Sequence, residues 1–132
     1  MLKRLSALGA CLVAGSLGFA SQALSATPTQ TDRCFLATDW EGWKSPNPNT
    51  IYVRVGVSRI YELDLSSGSN QLQEPAMHLV SQIRGSEWIC DPLDLQLQIA
   101  DDHGAFQEPL IVKSITRLTP DQIAAIPKKY LP

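Results

Sequence analysis

Several features are scarce in this sequence, and each scarcity argues against a class of protein. Three cysteines and two histidines are present in 132 residues, with no C-x-x-C pair and no histidine beside a cysteine, which disfavours a redox or zinc module. Eleven basic residues stand against 13 acidic ones, so a basic surface for nucleic acid or anionic membranes is not expected. After the first 26 residues, no segment approaches the ~20 apolar residues of a membrane-spanning helix.

The first 26 residues have the composition of a secretory signal peptide. Lys3 and Arg4 form a basic start, and Leu5–Phe19 supplies the apolar run. Small residues follow, and cleavage is expected after Ala23 or two to three residues later, so that the mature chain begins within residues 24–27. The sequence therefore predicts a periplasmic or secreted protein with a flexible lead-in over residues 27–33 and one domain over residues 34–132.

The N-terminal cysteine changes the cysteine count. Leu8–Cys11 resembles a lipobox, but only six uncharged residues precede Cys11 and the apolar run continues beyond it. We therefore interpret Cys11 as part of the signal peptide. Its removal leaves Cys34 and Cys90, and a lone pair in an exported chain indicates one structural disulfide. A redox pair and a metal site are the weaker alternatives. The net charge of the mature chain becomes −4, because two of the 11 basic residues are lost and nine remain against 13 acidic ones.

The stretch Thr50–Leu65 is predicted to form a β-hairpin that the disulfide clamps near its base. Apolar and polar residues alternate on both sides of a short break. The two apolar sets share one face only if an odd number of residues separates them, which predicts a three-residue connection within Val57–Ile60. On the outer face, Arg54 is then expected opposite Glu62 or Asp64.

The remaining pattern predicts a mainly β fold, namely a small antiparallel sandwich or curled sheet. Turns or loops are expected at 44–49, 66–70 and 101–104, and an irregular strand at 71–84. The other predicted strands are Cys34–Ala37, Glu87–Cys90, Leu93–Ile99 and Leu110–Leu118.

One short helix is predicted near the C-terminus. Thr119 is the expected N-cap, Pro120 occupies the first helical position, and Gln122 completes a capping box. Pro127 removes a backbone donor and disfavours a helical conformation in the preceding residue, so the helix is about two turns long.

No catalytic or metal-binding constellation is recognised. His78 and His103 are the histidines, and no G-x-S-x-G motif is present. The segment Asp101–His103 has ordinary turn composition, and we interpret its charges as solvated. Asp91 and Asp94 offer a carboxylate pair for a glycosidase, but nothing in the pattern buries them. We therefore assign no catalytic residue, no metal site and no cofactor.

The tryptophans are the most informative of the remaining side chains. Trp88 precedes the disulfide by two residues, and we interpret it as a core residue. Trp40 and Trp43 precede a loop and do not alternate cleanly, so core and ligand-binding roles are equally open for them. Exposed indoles stack on sugars or Pro-rich peptides. Trp40, Trp43 and Arg54 are the candidate ligand-binding residues.

Five segments together resemble the domain of unknown function 6491 family, a group of small exported bacterial proteins. The resemblance spans nearly the whole mature chain and is most specific in its Leu-Thr-Pro…Pro-Lys-Lys ending. It implies export and this architecture, and it implies no activity. The segments are Cys34-Phe35, Thr50–Gly56, Ile60–Leu65, Ser86–Cys90 and Ile115–Lys129.

The resemblance also bears on the disulfide. Members of that family often carry four cysteines, of which this sequence matches Cys34 and Cys90. No cysteine is present near Ser69 or Leu110, where the other two usually fall. The joint loss of two cysteines is what a second disulfide predicts, which supports the pairing of the two that remain.

Two function classes remain open. The first is a monomeric, non-catalytic module that binds an envelope protein, peptide or glycan. The second is a small hydrolase acting on envelope polymers, with a site assembled only in the fold. A pocket that holds His78 or His103 within hydrogen-bond reach of Ser, Asp or Glu would favour the enzyme.

Overall fold

A computed structural model describes residues 33–132; the predicted signal peptide and most of the predicted lead-in lie outside them. The fold is mainly β, as predicted, and is built from three small antiparallel sheets. A two-stranded sheet pairs β1 with β6, a four-stranded sheet has the order β2-β3-β4-β9, and a three-stranded sheet has the order β5-β7-β8. The strands are β1 (Phe35–Leu36), β2 (Trp40–Asn47), β3 (Thr50–Val55), β4 (Arg59–Leu65), β5 (Met77–Ile83), β6 (Trp88–Ile89), β7 (Leu95–Asp101), β8 (Gln107–Leu110) and β9 (Val112–Arg117).

The predicted hairpin is formed by β3 and β4. Val53 pairs with Tyr61 and Ile51 with Leu63, so both apolar sets face the core as expected. The connection has three residues, 56–58, and begins one residue before the predicted window of Val57–Ile60. Gly56 begins it with φ of 60°, a conformation that glycine adopts without steric cost.

This shift changes the outer-face pairing of the hairpin. Arg54 lies opposite Ile60, and Tyr52 lies opposite Glu62. The predicted pairing of Arg54 with an acidic residue is therefore wrong. The error arises from the position of the turn, because any shift of the connection along the chain changes every cross-strand partner.

The Cys34–Cys90 disulfide is present, with the two Cα atoms 4.3 Å apart. Cys34 directly precedes β1 and Cys90 directly follows β6, so the bond links the two strands of the two-stranded sheet. The Tyr61 hydroxyl donates a hydrogen bond to the Cys34 carbonyl at 3.3 Å. Further along the same segment, the Asp39 carbonyl accepts from Gly56 N–H at 2.7 Å. The disulfide-bearing segment therefore contacts the hairpin near its turn, and the prediction of a clamp near the base is wrong.

Strand β2 replaces much of the predicted turn at 44–49. The strand continues through Asn47, and only residues 48 and 49 turn. Proline is compatible with this position because β2 is an edge strand, where Pro46 removes no ladder bond that a central strand requires. The Pro- and Asn-rich composition therefore marks an edge strand followed by a tight turn.

The three-stranded sheet departs from prediction at two apolar residues. β7 begins at Leu95, because Asp91 and Asp94 cap a 3₁₀ turn at Pro92–Asp94 that leaves Leu93 82 % exposed. The predicted strand 110–118 is two strands, with Ile111 63 % exposed between β8 and β9. The irregular segment 71–84 contains a 3₁₀ turn at Asn70–Gln73 and then the regular strand β5.

Within residues 33–132, one apolar cluster gathers side chains from all three sheets. Fully buried side chains come from β1, β3, β4, β6 and β7, and Trp40, Trp43 and Met77 pack against them. Burial of each large side chain contributes about 1.5–3 kcal/mol. The largest of these buried side chains are Tyr61, Phe35, Ile51, Leu63, Ile89, Leu97 and Ile99.

The predicted C-terminal helix is confirmed as α1 (Pro120–Ala125). Thr119 Oγ1 accepts from Gln122 N–H at 3.3 Å, and Gln122 Oε1 accepts from Thr119 N–H at 2.8 Å, which is the expected capping box. The helix ends before Pro127, and a 3₁₀ turn at Lys128–Tyr130 follows. Within residues 33–132, no helix has the length and apolarity needed to cross a membrane.

Candidate functional site

A groove of about 550 Å³ lies where the edge of β2, the Asn70–Gln73 turn and the C-terminal Lys128–Tyr130 turn meet. Its volume falls in the ordinary range of small-molecule sites. We call it the Trp43 groove, and its lining residues are Trp43, Lys44, Ser45, Leu72, Gln73, Glu74, Pro75, Met77, Lys129 and Tyr130.

Strand pairing positions the Trp43 ring. Trp43 lies opposite Val53, whose side chain is fully buried, and the indole packs against the apolar core while it also lines the groove. The indole is therefore held on one side by packing and is available on another. A ring fixed in this way loses little conformational freedom when a ligand stacks on it.

The second wall is held by local hydrogen bonds. Ser69 caps the Asn70–Gln73 turn and donates to the Glu108 carboxylate at 2.8 Å. Gln73 Nε2 donates to the Pro46 carbonyl at 3.3 Å, which ties this turn to β2. Leu72, only 4 % exposed, anchors the turn in the core. This wall is therefore held in place by its contacts with β2 and with the core.

The Lys128–Tyr130 turn forms the third wall. Tyr130 N–H donates to the Pro127 carbonyl at 2.9 Å, which closes the last turn after α1. The Lys129 ammonium lies 4.6 Å from the centroid of the Tyr130 ring, a cation–π distance. An ammonium group and an aromatic ring are thus placed together on the side of the groove that the chain end forms.

The groove presents side chains that can stack and can form hydrogen bonds. Trp43 and Tyr130 offer aromatic surface, Gln73 an amide, Glu74 a carboxylate, and Lys129 ammonium donors. Lys44 lies on the same strand as Trp43 and adds a second ammonium group. The groove thus combines stacking surface with donors and acceptors of both charge signs.

The other predicted site residues lie outside the groove. Trp40 packs edge-on against Phe35, with ring centroids 6.4 Å apart, and contributes to the core. Trp88 is 47 % exposed on β6, so its prediction as a core residue is wrong; its side chain does not follow the buried Ile89 beside it because neighbouring strand residues face opposite sides. Arg54 lies on the outer face of the four-stranded sheet, and its Nε is buried without a hydrogen-bond partner among residues 33–132.

That outer face carries a second, smaller cavity of about 290 Å³ beside α1, lined by Tyr52, Glu62 and Gln122 among others. The Tyr52 hydroxyl hydrogen-bonds the Glu62 carboxylate. Burial and the nearby Asp64 charge raise the pKa of Glu62, which the Tyr52 hydrogen bond opposes. Burial and the Glu62 charge raise the pKa of Tyr52. Asp64 in turn accepts a hydrogen bond from Ser114 Oγ at 3.0 Å.

The histidines do not assemble an enclosed site. His78 Nδ1 lies 3.4 Å from Asp102 Oδ1, but both side chains are largely exposed and neither lines the Trp43 groove. His103 is in an exposed turn. Asp91 and Asp94 are engaged in capping their 3₁₀ turn. Within residues 33–132, no three His, Cys, Asp or Glu side chains are grouped as metal ligands.

Sequence reasoning singled out one wall of the groove and missed the other two. Trp43 was a candidate because it precedes a Pro-rich loop, whereas Gln73, Glu74 and Tyr130 carry no local signal. Lys129 and Tyr130 follow the helix-ending Pro127, which marks them only as a chain end. Their approach to β2 is a long-range contact that no pattern within either segment indicates.

A scan against models of protein families, a search of curated proteins and a search of solved structures each gave no match. The resemblance to the domain of unknown function 6491 family therefore stays a prediction.

Proposed function

We propose that the protein is an exported, non-catalytic binding module of the cell envelope, and that the Trp43 groove holds a glycan. The observation that carries the proposal is the indole of Trp43, held by the core on one side and lining a groove of about 550 Å³ on another. Polar groups surround it, with Gln73 and Glu74 on the second wall and Lys129 on the third.

A glycan fits this combination of groups. A sugar ring has an apolar face, which stacks on an aromatic side chain, and hydroxyl groups, which need both donors and acceptors. The groove supplies an amide, a carboxylate and ammonium groups around Trp43. The apolar cavity of about 230 Å³ near Leu93 and Ile111 lacks an aromatic side chain, so it is the poorer candidate for a sugar.

Support for export comes from the sequence and from the disulfide. The first 26 residues have a basic start, an apolar run and small residues at the expected cleavage site. Cys34 and Cys90 form a disulfide, a bond that persists in oxidising compartments such as the periplasm. N-terminal sequencing of the chain recovered from the periplasm is expected to give a start within residues 24–27; an unprocessed chain retained in the cytoplasm would contradict export.

Binding is tested by calorimetric titration of the purified protein with soluble glycan strands released from bacterial cell walls. Trp43→Ala is expected to weaken binding at least tenfold, about 1.4 kcal/mol, since the stacking surface is lost. Tyr130→Ala should weaken it less, and it leaves the core intact because Tyr130 is not part of the core cluster.

Trp88→Ala is the matched control, because it removes the same side chain from an exposed position outside the groove. It should bind as the parent does. No binding by the parent protein, or equal affinity in the Trp43 and Trp88 variants, would contradict the proposal.

A further inference from the structure

Strand β5 is an open and regular sheet edge. It lies at the end of the three-stranded sheet and pairs on one side with β7 through seven consecutive residue pairs, without a register shift. Within residues 33–132, β5 has no backbone hydrogen bond to any strand except β7. Its last three residues are exposed, including Ile83 at 41 %. The N–H and C=O groups on the outer side of β5 are therefore available to another strand.

The other edge strands of the two larger sheets have features that prevent pairing with another strand, and β5 lacks these features. β2 contains Pro46, Lys44 and two register shifts. β8 is four residues long and contains Pro109. β9 contains Lys113 and Arg117 and pairs with one register shift. Such features prevent edge-to-edge pairing, whereas β5 has no proline, glycine, lysine or arginine.

We propose that β5 pairs with β5 of a second copy of this chain, antiparallel and across a two-fold axis at Val80. In antiparallel pairing, the residue numbers of opposed positions have a constant sum. An even sum keeps the core-facing sides of both sheets on one side. The sum of 160 is the one that pairs all seven residues of β5 and places Val80 opposite Val80 of the second copy.

This register matches the side chains along the strand. Met77 lies opposite Ile83 of the second copy, so that two apolar residues meet at each end. Leu79 lies opposite Ser81, and His78, the only ionisable residue of β5, lies opposite Gln82. No like charges are opposed, which antiparallel self-pairing would otherwise penalise.

Charges beyond the strand ends are complementary in the same register. Arg84 follows β5, and it would lie opposite residue 76 of the second copy. Glu74 is two residues before that position, and Asp102 follows Asp101, the β7 partner of Met77. At each end of the pairing, Arg84 of one copy therefore lies near Glu74 and Asp102 of the other copy. The same contact occurs twice, as a two-fold interface requires.

The central test is analytical ultracentrifugation of the protein, expressed from residue 1 and purified with the disulfide intact. The parent is expected to form a discrete dimer whose population rises with concentration. Val80→Lys places two ammonium groups opposite each other across the axis and is expected to give monomer at the same concentrations. Val57→Lys is the matched control, at a turn residue that is 98 % exposed and remote from β5, and it should dimerise as the parent does.

A charge exchange tests the register itself. Arg84→Glu alone and Glu74→Arg alone should each weaken self-association, because like charges then meet at both ends. An equimolar mixture of the two variants restores an acidic–basic contact at each end and is expected to recover the dimer. A parent that stays monomeric up to its solubility limit, a Val80→Lys variant that still dimerises, or a mixture that stays monomeric would overturn the proposal. A dimer departs from the monomer expected from the sequence.

Discussion

Glu62 is an acidic residue whose surroundings favour its protonated form. Burial and the neighbouring Asp64 raise the pKa of Glu62 above its ordinary 4.5, despite a hydrogen bond from Tyr52. The raised pKa in the folded state makes a contribution to stability that is fully present below pH 4.5. That contribution is lost as the pH rises through the higher, folded-state pKa.

Replacing Glu62 with glutamine should remove this pH dependence, because glutamine resembles the protonated acid at every pH. We expect the difference in melting temperature, Glu62→Gln minus the parent, to be more positive at pH 7 than at pH 4. Glu41→Gln removes the same charge from an exposed position on β2 and serves as the control. An identical difference at both pH values for Glu62→Gln would show that burial of this carboxyl has no energetic consequence.

Single residues were predicted well only where their own neighbours decide their environment. The alternating residues of the hairpin reach the core because period-2 spacing fixes the face. Trp88 and Trp43 show the limit: both are large and apolar, yet one is exposed on a two-residue strand and the other lines a groove. Which face of a short or edge strand is covered depends on distant segments.

At the scale of elements, the chain depends on a close approach between Gly68 and the β2–β3 turn. Ser69 N–H donates to the Pro48 carbonyl at 2.9 Å, and Leu65 N–H donates to the Asn49 carbonyl at 2.8 Å. A Cβ atom at position 68 would lie 3.0 Å from the Pro48 oxygen and overlap the Asn49 amide. A larger residue at position 68 therefore fits only if the Asn49 side chain or the turn moves.

Gly68→Ala should destabilise the protein by about 1–3 kcal/mol, since the turn or the Asn49 side chain must move. Gly42→Ala is the matched control, because nothing lies within 4 Å of a Cβ atom there. It should change stability by no more than about 0.5 kcal/mol. Urea unfolding measures both, and equal effects of the two substitutions would show that the contact does not constrain the turn.

Elements with strong local signals were predicted, and elements set by context were not. The C-terminal helix carries its own start and stop in Thr119 and Pro127, and both are confirmed. The alternation predicts that β7 begins at Leu93, and this start is wrong because Asp91 and Asp94 fold that residue into a capped 3₁₀ turn. The break at Ile111 was missed because an apolar residue between two strands looks like strand.

At the scale of the whole molecule, the disulfide is the covalent constraint on the domain. It joins residues 56 positions apart, and closing such a loop restricts the unfolded chain by about 4 kcal/mol on the chain-entropy model. A domain of this size has a net stability of about 5–10 kcal/mol. The cross-link therefore accounts for a large share of it.

Cys34→Ser, Cys90→Ser and the double substitution are expected to lower the free energy of unfolding to a similar extent, by about 4 kcal/mol. Each variant should also become sensitive to protease, because a larger fraction of chains is unfolded. Denaturant unfolding under non-reducing conditions gives the comparison. Losses below about 1 kcal/mol in all three would mean that the sheets hold the domain without the cross-link.

The central claim is that the Trp43 groove holds a glycan, and the most direct measurement is where that ligand binds. The three indole N–H groups, of Trp40, Trp43 and Trp88, have different surroundings and are expected to give separate signals in a ¹H–¹⁵N spectrum of the labelled protein. On titration with soluble cell-wall glycan strands, the Trp43 signal is expected to shift most, the core-packed Trp40 less, and the exposed Trp88 not at all. A titration in which Trp88 shifts and Trp43 does not would place binding elsewhere and contradict the account.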